Sequence, residues 1–481
     1  MYKNGEIDKD LNEVMHMKNL IDEIDFKYIE KLSLNKCFEL DLIPINKEDF
    51  VYIICDNSKN NYIDRLNLIY GLPIKILEIN EDEFLKLKHM IFLELNENVE
   101  NIIIEEAIND RASDIHFEPS RGGVNIRFRI DGLLVKRYKI SYEIYEKVIS
   151  RIKNNSNLDI TEKRKPQDGK MKFKLNNNEY NLRVSIIKTI NGEKLVIRIL
   201  REGLIKLDFR DLTNIEEQRR DLIRIVRKKE GLVIINGPTG SGKSTSLYSI
   251  LESSKDDGIN ITSIEDPVEV SIDGINQIQL NRKVNLDFSN ALRSVLRQDP
   301  DIVMIGEIRD SETAKMAIRA SITGHKVYST LHSISGREVF FRLKDLGIDE
   351  KFLREALVGI ISQRLIKKLC DDCKQEETIN FNGENLKCFK RVGCTKCSYT
   401  GYKGRILLSQ IYKLDKTFSI EELQKDRNML SNNKMKEMAY KHLINGDITY
   451  IDYIDFIEEE EDYNDQYKIL WKYNINKWKF K

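Results

Sequence analysis

Two periodicities divide this chain. In its middle, apolar and polar positions alternate one for one. Val124, Ile126, Phe128 and Ile130 oppose Asn125, Arg127 and Arg129, and Tyr180, Leu182, Val184 and Ile186 oppose Asn181, Arg183 and Ser185. A period of two puts each set on one face of a strand. This stretch therefore predicts a sheet with one packed face and one face displaying Arg127, Arg129 and Arg183. Lys170, Lys172 and Lys174 share a face in the same way, after the turn Pro166-Gln-Asp-Gly169. Helical periodicity marks Val99–Ile108 and Tyr142–Ile152. Beyond about Ile205 the pattern changes to short, wholly apolar strands at Leu232–Ile235, Ile261–Ile264, Ile302–Ile305 and Val327–Ser329, separated by helical stretches. That alternation predicts a mainly parallel sheet between helices. Ahead of both units, Lys31–Met90 reads as a small α/β segment. Its strands are Val51–Cys55 and Ile74–Leu77, and its helices include Arg65–Tyr70 and Glu83–Phe92. Residues 1–28 form a charged leader, and the chain after Ile411 is rich in Lys, Asn and Tyr, with an acidic run Glu458–Asp462 and Trp471 and Trp478 near its end.

Composition narrows the class. The chain has 481 residues, of which 41% are hydrophobic, enough for several cores. Its 78 Lys and Arg cancel 78 Asp and Glu, so no general nucleic-acid coat is indicated. A nucleic-acid motor is further disfavoured by the lack of aromatic-basic strand patterns. No apolar run approaches the roughly 18–20 residues that span a bilayer, and the start lacks an apolar signal core, so a cytosolic protein is expected.

The strongest chemical motif is Gly237, Pro238, Thr239, Gly240, Ser241, Gly242, Lys243, Ser244 and Thr245. It follows an apolar strand and opens a helix, the setting in which backbone N–H groups and the helix N-terminus cradle phosphate. Lys243 is expected to reach the β- and γ-phosphates of ATP, and Ser244 to ligate Mg2+. Downstream, the apolar run Ile302–Ile305 ends in Gly306 and Glu307. Gly306 takes the place of the usual Mg2+-associated aspartate, and Glu307 is the candidate to polarise the attacking water. Glu265 and Asp266 stand at the end of another predicted strand. Ligands in open α/β sheets bind outside the carboxyl ends of strands, so these acids are expected to converge with Glu307. His325 and His332 flank a further strand, and a His near a γ-phosphate can bond it and report hydrolysis.

Four of the cysteines form two CxxC pairs, Cys370 with Cys373 and Cys394 with Cys397. In a leaderless chain this spacing predicts a tetrahedral Zn2+ site. Four protein thiolates leave no open position, so its role is structural. Cys388 lies between the pairs and reads as a spare thiol.

In order along the chain, Ala112-Ser-Asp-Ile-His-Phe-Glu-Pro119, Arg127-Phe-Arg-Ile-Asp-Gly132, the Gly237–Thr245 loop, Glu265-Asp-Pro-Val-Glu269, Gly306-Glu-Ile-Arg-Asp310, Ser329-Thr-Leu-His332 and Gln363-Arg-Leu365 resemble the secretion ATPase superfamily. The likeness is to its zinc-containing branch, the type II secretion and type IV pilus assembly ATPases. It implies an α/β multidomain fold. The parts are a small N-terminal α/β domain (29–95), a PAS-like α+β domain (96–202), a RecA-like ATPase domain (203–410) with a zinc insert (366–404), and a C-terminal helical region and tail (411–481). It further implies a homo-hexameric ATP hydrolase using Mg2+ and structural Zn2+. Such an enzyme works on pilin or pseudopilin filaments through an inner-membrane platform protein and a cytosolic adaptor. It would be cytoplasmic, recruited to the inner face of the membrane by partners alone, and without nucleic acid. The catalytic set is Glu307, Lys243 and Glu265. Asp266 and His332 join the nucleotide site, and Arg183, Lys170, Arg127 and Arg129 are supplied from the PAS-like domain. Lys170 stands where the family usually has Arg, and Ser409-Gln410 stand where it normally carries an acid. Other readings of the residues are a nucleotide-gated scaffold with little turnover and a retraction motor. No cyclic-dinucleotide motif is found in the N-terminal segment.

Overall fold

The computed structural model describes residues 42–47, 50–55, 63–78, 98–176, 178–200, 207–381, 384–415, 423 and 430–460. The expected leader, the helix Glu83–Phe92 and the Trp-containing tail lie outside them. A small unit pairs β1 (Leu42–Lys47) antiparallel to β2 (Phe50–Cys55), which runs parallel to β3 (Ile74–Glu78) after helix α1 (Ile63–Tyr70).

The second unit begins with α2 (Val99–Asn109). It continues through β4 (Asp114–Ser120), β5 (Gly123–Ile130), β6 (Leu133–Ile140), α3 (Tyr142–Asn155), β7 (Gln167–Leu175), β8 (Asn178–Thr189) and β9 (Gly192–Leu200). The sheet order is β6-β5-β4-β9-β8-β7, antiparallel throughout. The alternation read from the sequence holds. Val124, Ile126, Phe128 and Ile130 are buried against Ile103, Ile104 and Ala107 of α2 and Val148 and Ile152 of α3. The Ser141 hydroxyl accepts from Ile144 N–H and starts α3.

The third unit carries the parallel sheet. Its elements are α4 (Glu216–Arg227), β10 (Gly231–Asn236), α5 (Lys243–Ser253), β11 (Ile261–Glu265), β12 (Asn276–Gln279), α6 (Phe288–Val295), β13 (Ile302–Ile305), α7 (Ser311–Ile322), β14 (Lys326–Leu331), α8 (Gly336–Asp345), α9 (Glu350–Ala356) and β15 (Leu357–Leu369). After β16 (Gln375–Phe381) and β17 (Glu384–Lys390), β18 (Tyr402–Lys413) returns antiparallel to β15, giving the order β12-β11-β13-β14-β10-β15-β18. The inner strands β10, β11, β13 and β14 are buried along their whole length because both faces of the sheet are covered. Leu232 and Ile234 of β10 enter one core, Val233 and Ile235 the other. β18 runs on past Gln410. Ser409 donates to the Leu212 carbonyl, and Gln410 Oε1 accepts from Lys434 N–H at 3.1 Å, so both serve packing where an acid was expected. Helices α10 (Asn433–Ile444) and α11 (Tyr450–Glu460) then fold back on the insert, burying Met435, Met438 and Phe456 with Cys388 and Leu408. Among the described residues no helix is long and apolar enough to cross a membrane.

Candidate nucleotide site and metal centre

All strands from β10 to β14 are parallel, so their carboxyl ends share one edge. That edge carries the Gly237–Thr245 loop, Glu265, Glu307 and His332. The loop needs its glycines for physical reasons. Gly242, at φ +88°, is the N-cap of α5. At Gly237 a Cβ would fall 2.4 Å from the Gln363 carbonyl and 2.6 Å from Ser241 Oγ. Pro238, Thr239, Gly240 and Thr245 are exposed, Ser241 and Lys243 are buried, and Ser244 is half-buried. The Lys243 ammonium folds over the loop, donating to the carbonyls of Gly237 and Pro238 at 2.8 Å each. Burial, helped by the Arg364 guanidinium and opposed by Glu307, brings Lys243 down to about 8.

Glu307 follows β13 through Gly306, whose N–H bonds the Ile264 carbonyl at 2.8 Å. The Thr330 hydroxyl bonds the Gly306 carbonyl at 2.7 Å. Its carboxylate is paired with Arg309 and lies 3.7 Å from His332 Nε2. Burial, and then the Lys243 charge, lower the His332 pKa, with Glu307 acting the other way. Asp266 is exposed and contributes to the field that raises the Arg309 pKa, behind the larger effect of Glu307. Glu265 has a different setting. It is 3% exposed, and its Oε1 accepts from Ser263 Oγ at 2.6 Å and Gln277 Nε2 at 3.0 Å, while Oε2 accepts from the Tyr248 hydroxyl. His325 sits at the opposite end of β14, bonded to the Ala320 carbonyl at 3.1 Å. Asp310, the last residue of the Glu307 motif, caps α7 by accepting from Thr313 N–H at 2.8 Å.

Sequence reasoning assigned no role to three neighbours. Arg309 is the partner of Glu307. Gln363, fully buried, donates to the Ser241 carbonyl at 2.7 Å. Arg364, also buried, donates to the carbonyls of Gln363 at 3.0 Å and Ile334 at 2.7 Å, close enough to Lys243 to depress it. The available signal was position: Gln363 and Arg364 follow directly on the last β15 residue paired with β10, and Arg309 comes shortly after β13.

The polar face of the antiparallel sheet is an ordered row. Register places Lys170, Arg183, Arg198, Asp114 and Arg129 side by side across β7, β8, β9, β4 and β5. Buried Asp114 accepts from Arg198 Nε at 2.8 Å and lies 3.6 Å from Arg129 Nε. Glu118 pairs with Arg127 at 2.7 Å and Lys194 at 2.8 Å. Although burial opposes it, these cations hold the Glu118 carboxyl at about 2. Arg183 and Lys170 have no acidic partner among the described residues. None of Arg127, Arg129, Arg183 and Lys170 bonds the phosphate loop among those residues. Bonds to the four-cysteine insert join the two units instead: Ser398 Oγ to Asp110 at 3.2 Å, and Gly404 N–H to Asp131 at 2.8 Å.

In that insert the ligand atoms of Cys370, Cys373, Cys394 and Cys397 all lie within 4.8 Å of one another. The Cys370–Cys394, Cys373–Cys397 and Cys394–Cys397 sulfurs are 3.9, 3.8 and 3.8 Å apart. A tetrahedron with Zn–S bonds of about 2.3 Å has edges of about 3.8 Å, so the four thiols fit the metal. N–H groups of Cys394 and Gly401 point at Cys397 Sγ, at 3.2 and 3.3 Å. Against the raising effect of burial, they bring that thiol down to about 7. Cys388 stands apart, buried beside Glu377 and pushed up to about 11 by burial.

A glycine-rich loop on a parallel strand, a strand-end carboxylate across from it and a lysine folded between them define a P-loop nucleotide-binding protein. Residues 93–452 match the profile of the type II/IV secretion system protein family. The chain belongs to that family, the secretion ATPases. It is 41% identical over 324 residues to the type II secretion system protein E of Dickeya dadantii, covering 66% of this chain and 65% of that one. It is 40% identical over 324 residues to the type II secretion system ATPase E of Vibrio cholerae, covering 66% and 64%. An Escherichia coli (strain K12) relative named for the same system is 39% identical over 360 residues, covering 73% and 71%. The chain thus spans about two thirds of the length of these relatives. In fold it is similar to the Legionella pneumophila ATPase DotB (TM-score 0.55, 22% identity, 76% of this chain and 95% of that one). It is also similar to the pilus retraction motor PilT with bound ADP (TM-score 0.50, 24% identity, 76% and 98%).

Proposed function

We propose that this chain is a hexameric ATPase that converts ATP hydrolysis into mechanical work for the assembly of pilin or pseudopilin filaments. The observation that carries this is the meeting of Lys243, Glu307 and His332 at one sheet edge, in a chain whose family is shown. The loop N–H groups and Lys243 bind the phosphates. The Ser244 hydroxyl would hold Mg2+, which would supply neutralisation of phosphate charge when bound. Glu307 takes a proton from the attacking water as the bond from the γ-phosphorus to the bridging oxygen breaks, releasing ADP and phosphate. His332 faces the γ-position and reads its loss. Glu265, with every oxygen engaged, holds the shape of the neighbouring turn.

The parallel-sheet unit acts as the RecA-like motor domain and the antiparallel sheet as the PAS-like domain. Arg183 and Lys170 are the cations free to meet phosphate, after a swing of their domain or from the next subunit. The four-cysteine insert holds structural Zn2+. The ring works at the inner face of the membrane on a platform protein and its cytosolic adaptor. Phosphate release by the purified full chain in Mg2+ and ATP, abolished in Lys243→Ala, tests the reading. Equal release from Lys243→Ala would overturn it. The second reading, a nucleotide-gated scaffold, is favoured by Lys170 in place of Arg, because an ammonium lacks the planar fork. It predicts ATP binding without turnover, even with phospholipid and the platform's cytosolic domain added.

A further inference from the structure

We infer that Gln363 positions the phosphate loop, and that the four-cysteine insert fixes where Gln363 stands. β15 pairs parallel to β10 as far as Asn236 opposite Ser362, with the Ser362 hydroxyl donating to Asn236 Oδ1 at 2.8 Å. The next residue, Gln363, is therefore abreast of the loop's first residue and touches it at three places. Its carbonyl occupies the space that a Gly237 Cβ would need, coming within 2.4 Å. Its Nε2 would lie 3.3 Å from a Gly242 Cβ and donates to the Ser241 carbonyl at 2.7 Å. Lys243 satisfies the Gly237 and Pro238 carbonyls, and Gln363 satisfies Ser241. The loop is shaped from inside by a lysine that must answer to phosphate, and from outside by an amide that carries no charge.

The strand that carries Gln363 then runs on to the metal knot. β15 pairs with β18 from Gly359 to Leu369, with a single irregularity between Lys367 and Leu369. Lys367 is pinned to Asp452 of α11 at 2.8 Å, Leu369 N–H to the Asp447 carbonyl at 2.7 Å, and Cys370 N–H to the Gly401 carbonyl at 3.0 Å. At about 3.3 Å per residue, Gln363 and Cys370 are roughly 23 Å apart along a hydrogen-bonded strand. A strand held on its partner transmits a shift instead of absorbing it. On its far side the same insert receives Asp110 and Asp131 of the antiparallel sheet unit. The insert thus stands between that unit and the phosphate grip, with Gln363 as the contact that conveys its position.

The inference rests on the loop binding nucleotide and the cysteines binding metal. Coupling between two binding sites is reciprocal, so nucleotide must affect the metal as much as the metal affects nucleotide. The test uses the full wild-type chain loaded with Zn2+, measuring the equilibrium partition of the metal between the protein and a chromophoric chelator with and without saturating ADP. ADP is expected to shift that partition toward the protein severalfold. In Gln363→Leu, which leaves the Ser241 carbonyl unanswered, ADP affinity should fall about five- to ten-fold. The loss should fall more on KM than on kcat, and the Zn2+ partition should no longer respond to ADP. An equal wild-type equilibrium partition with and without ADP would overturn the coupling, whatever the variant's fate. Wild-type ADP affinity in Gln363→Leu would overturn the positioning role. A wild-type chain that takes up no ADP or no Zn2+ shows itself in the initial titrations, and overturns the site assignment itself.

Discussion

Replacing Glu307 by Gln tests its proposed role as proton acceptor apart from any part in the scaffold. The amide keeps the size and one acceptor oxygen but cannot take a proton from water. General-base assistance contributes about 10²- to 10⁴-fold to a rate, equivalent to about 2.7–5.5 kcal/mol of barrier. The substitution also weakens the ion pair with Arg309. That side chain is 60% exposed, so solvent screening limits the stability cost to under about 1 kcal/mol. The expected outcome is turnover lowered at least about a hundredfold, with ADP affinity and melting temperature close to wild type. Glu265→Gln provides the contrast. Its oxygens accept three donors, from Ser263, Gln277 and Tyr248, and an amide would turn an N–H toward one of them. That mismatch costs about 1–3 kcal/mol of stability, so Glu265→Gln should lower the melting temperature as well as turnover. Steady-state phosphate release and scanning calorimetry on both variants decide the matter. Wild-type turnover in Glu307→Gln, or a large drop in its melting temperature, would refute the assignment.

Further outcomes follow from the same geometry. Because Lys243 is brought down to about 8, it is partly neutral above that pH in the free loop, and phosphate must recharge it. ADP binding at pH 8.5 should therefore take up protons, and affinity should fall as pH rises, by at most about tenfold per unit. Calorimetry in buffers of different ionisation heat reads this directly, and proton release would contradict it. Cys370→Ser should lose the Zn2+ proposed for the four thiols and melt well below wild type, since structural zinc contributes on the order of 10 kcal/mol. Cys388→Ala, outside the cluster, should keep its metal by atomic absorption. Arg183→Ala should lower kcat by about 10²- to 10³-fold if its guanidinium meets the transferring phosphoryl group. An unchanged kcat would show that this cation serves another purpose.

Local pattern carried much of this into view. The alternation at Val124–Ile130 gave both the buried and the cationic face of β5, because a half-exposed strand must follow its two-residue period. The loop at Gly237–Thr245 was legible because few sequences can curl that tightly around phosphate. The paired cysteines were legible because metal geometry demands their spacing. What the sequence concealed was pairing at a distance. Nothing local tells that Arg198 and Arg129 share Asp114. Nor does anything local to Glu265 announce the donors from Tyr248 and Gln277 that its oxygens accept. Gln363 is an ordinary polar residue in an apolar strand, and only register beside β10 gives it meaning. The end of β14 was underestimated for the same reason: past Ser329 it continues through Thr330 to Leu331, paired with Ile235 and Asn236 of β10.

The lysines of β7 also have a consequence unrelated to phosphate. β7 is the outermost strand of its sheet, so one line of its backbone donors and acceptors pairs with no other strand among the described residues. Such a rim invites another chain to add itself as an extra strand, and charged side chains are a common deterrent. With Lys170, Lys172 and Lys174 exposed at every second position, any newcomer of similar charge is repelled before it can zip on. Wherever many copies crowd together, this fence keeps them from fusing into aggregates. Experiments that neutralise these residues should therefore monitor solubility alongside catalysis.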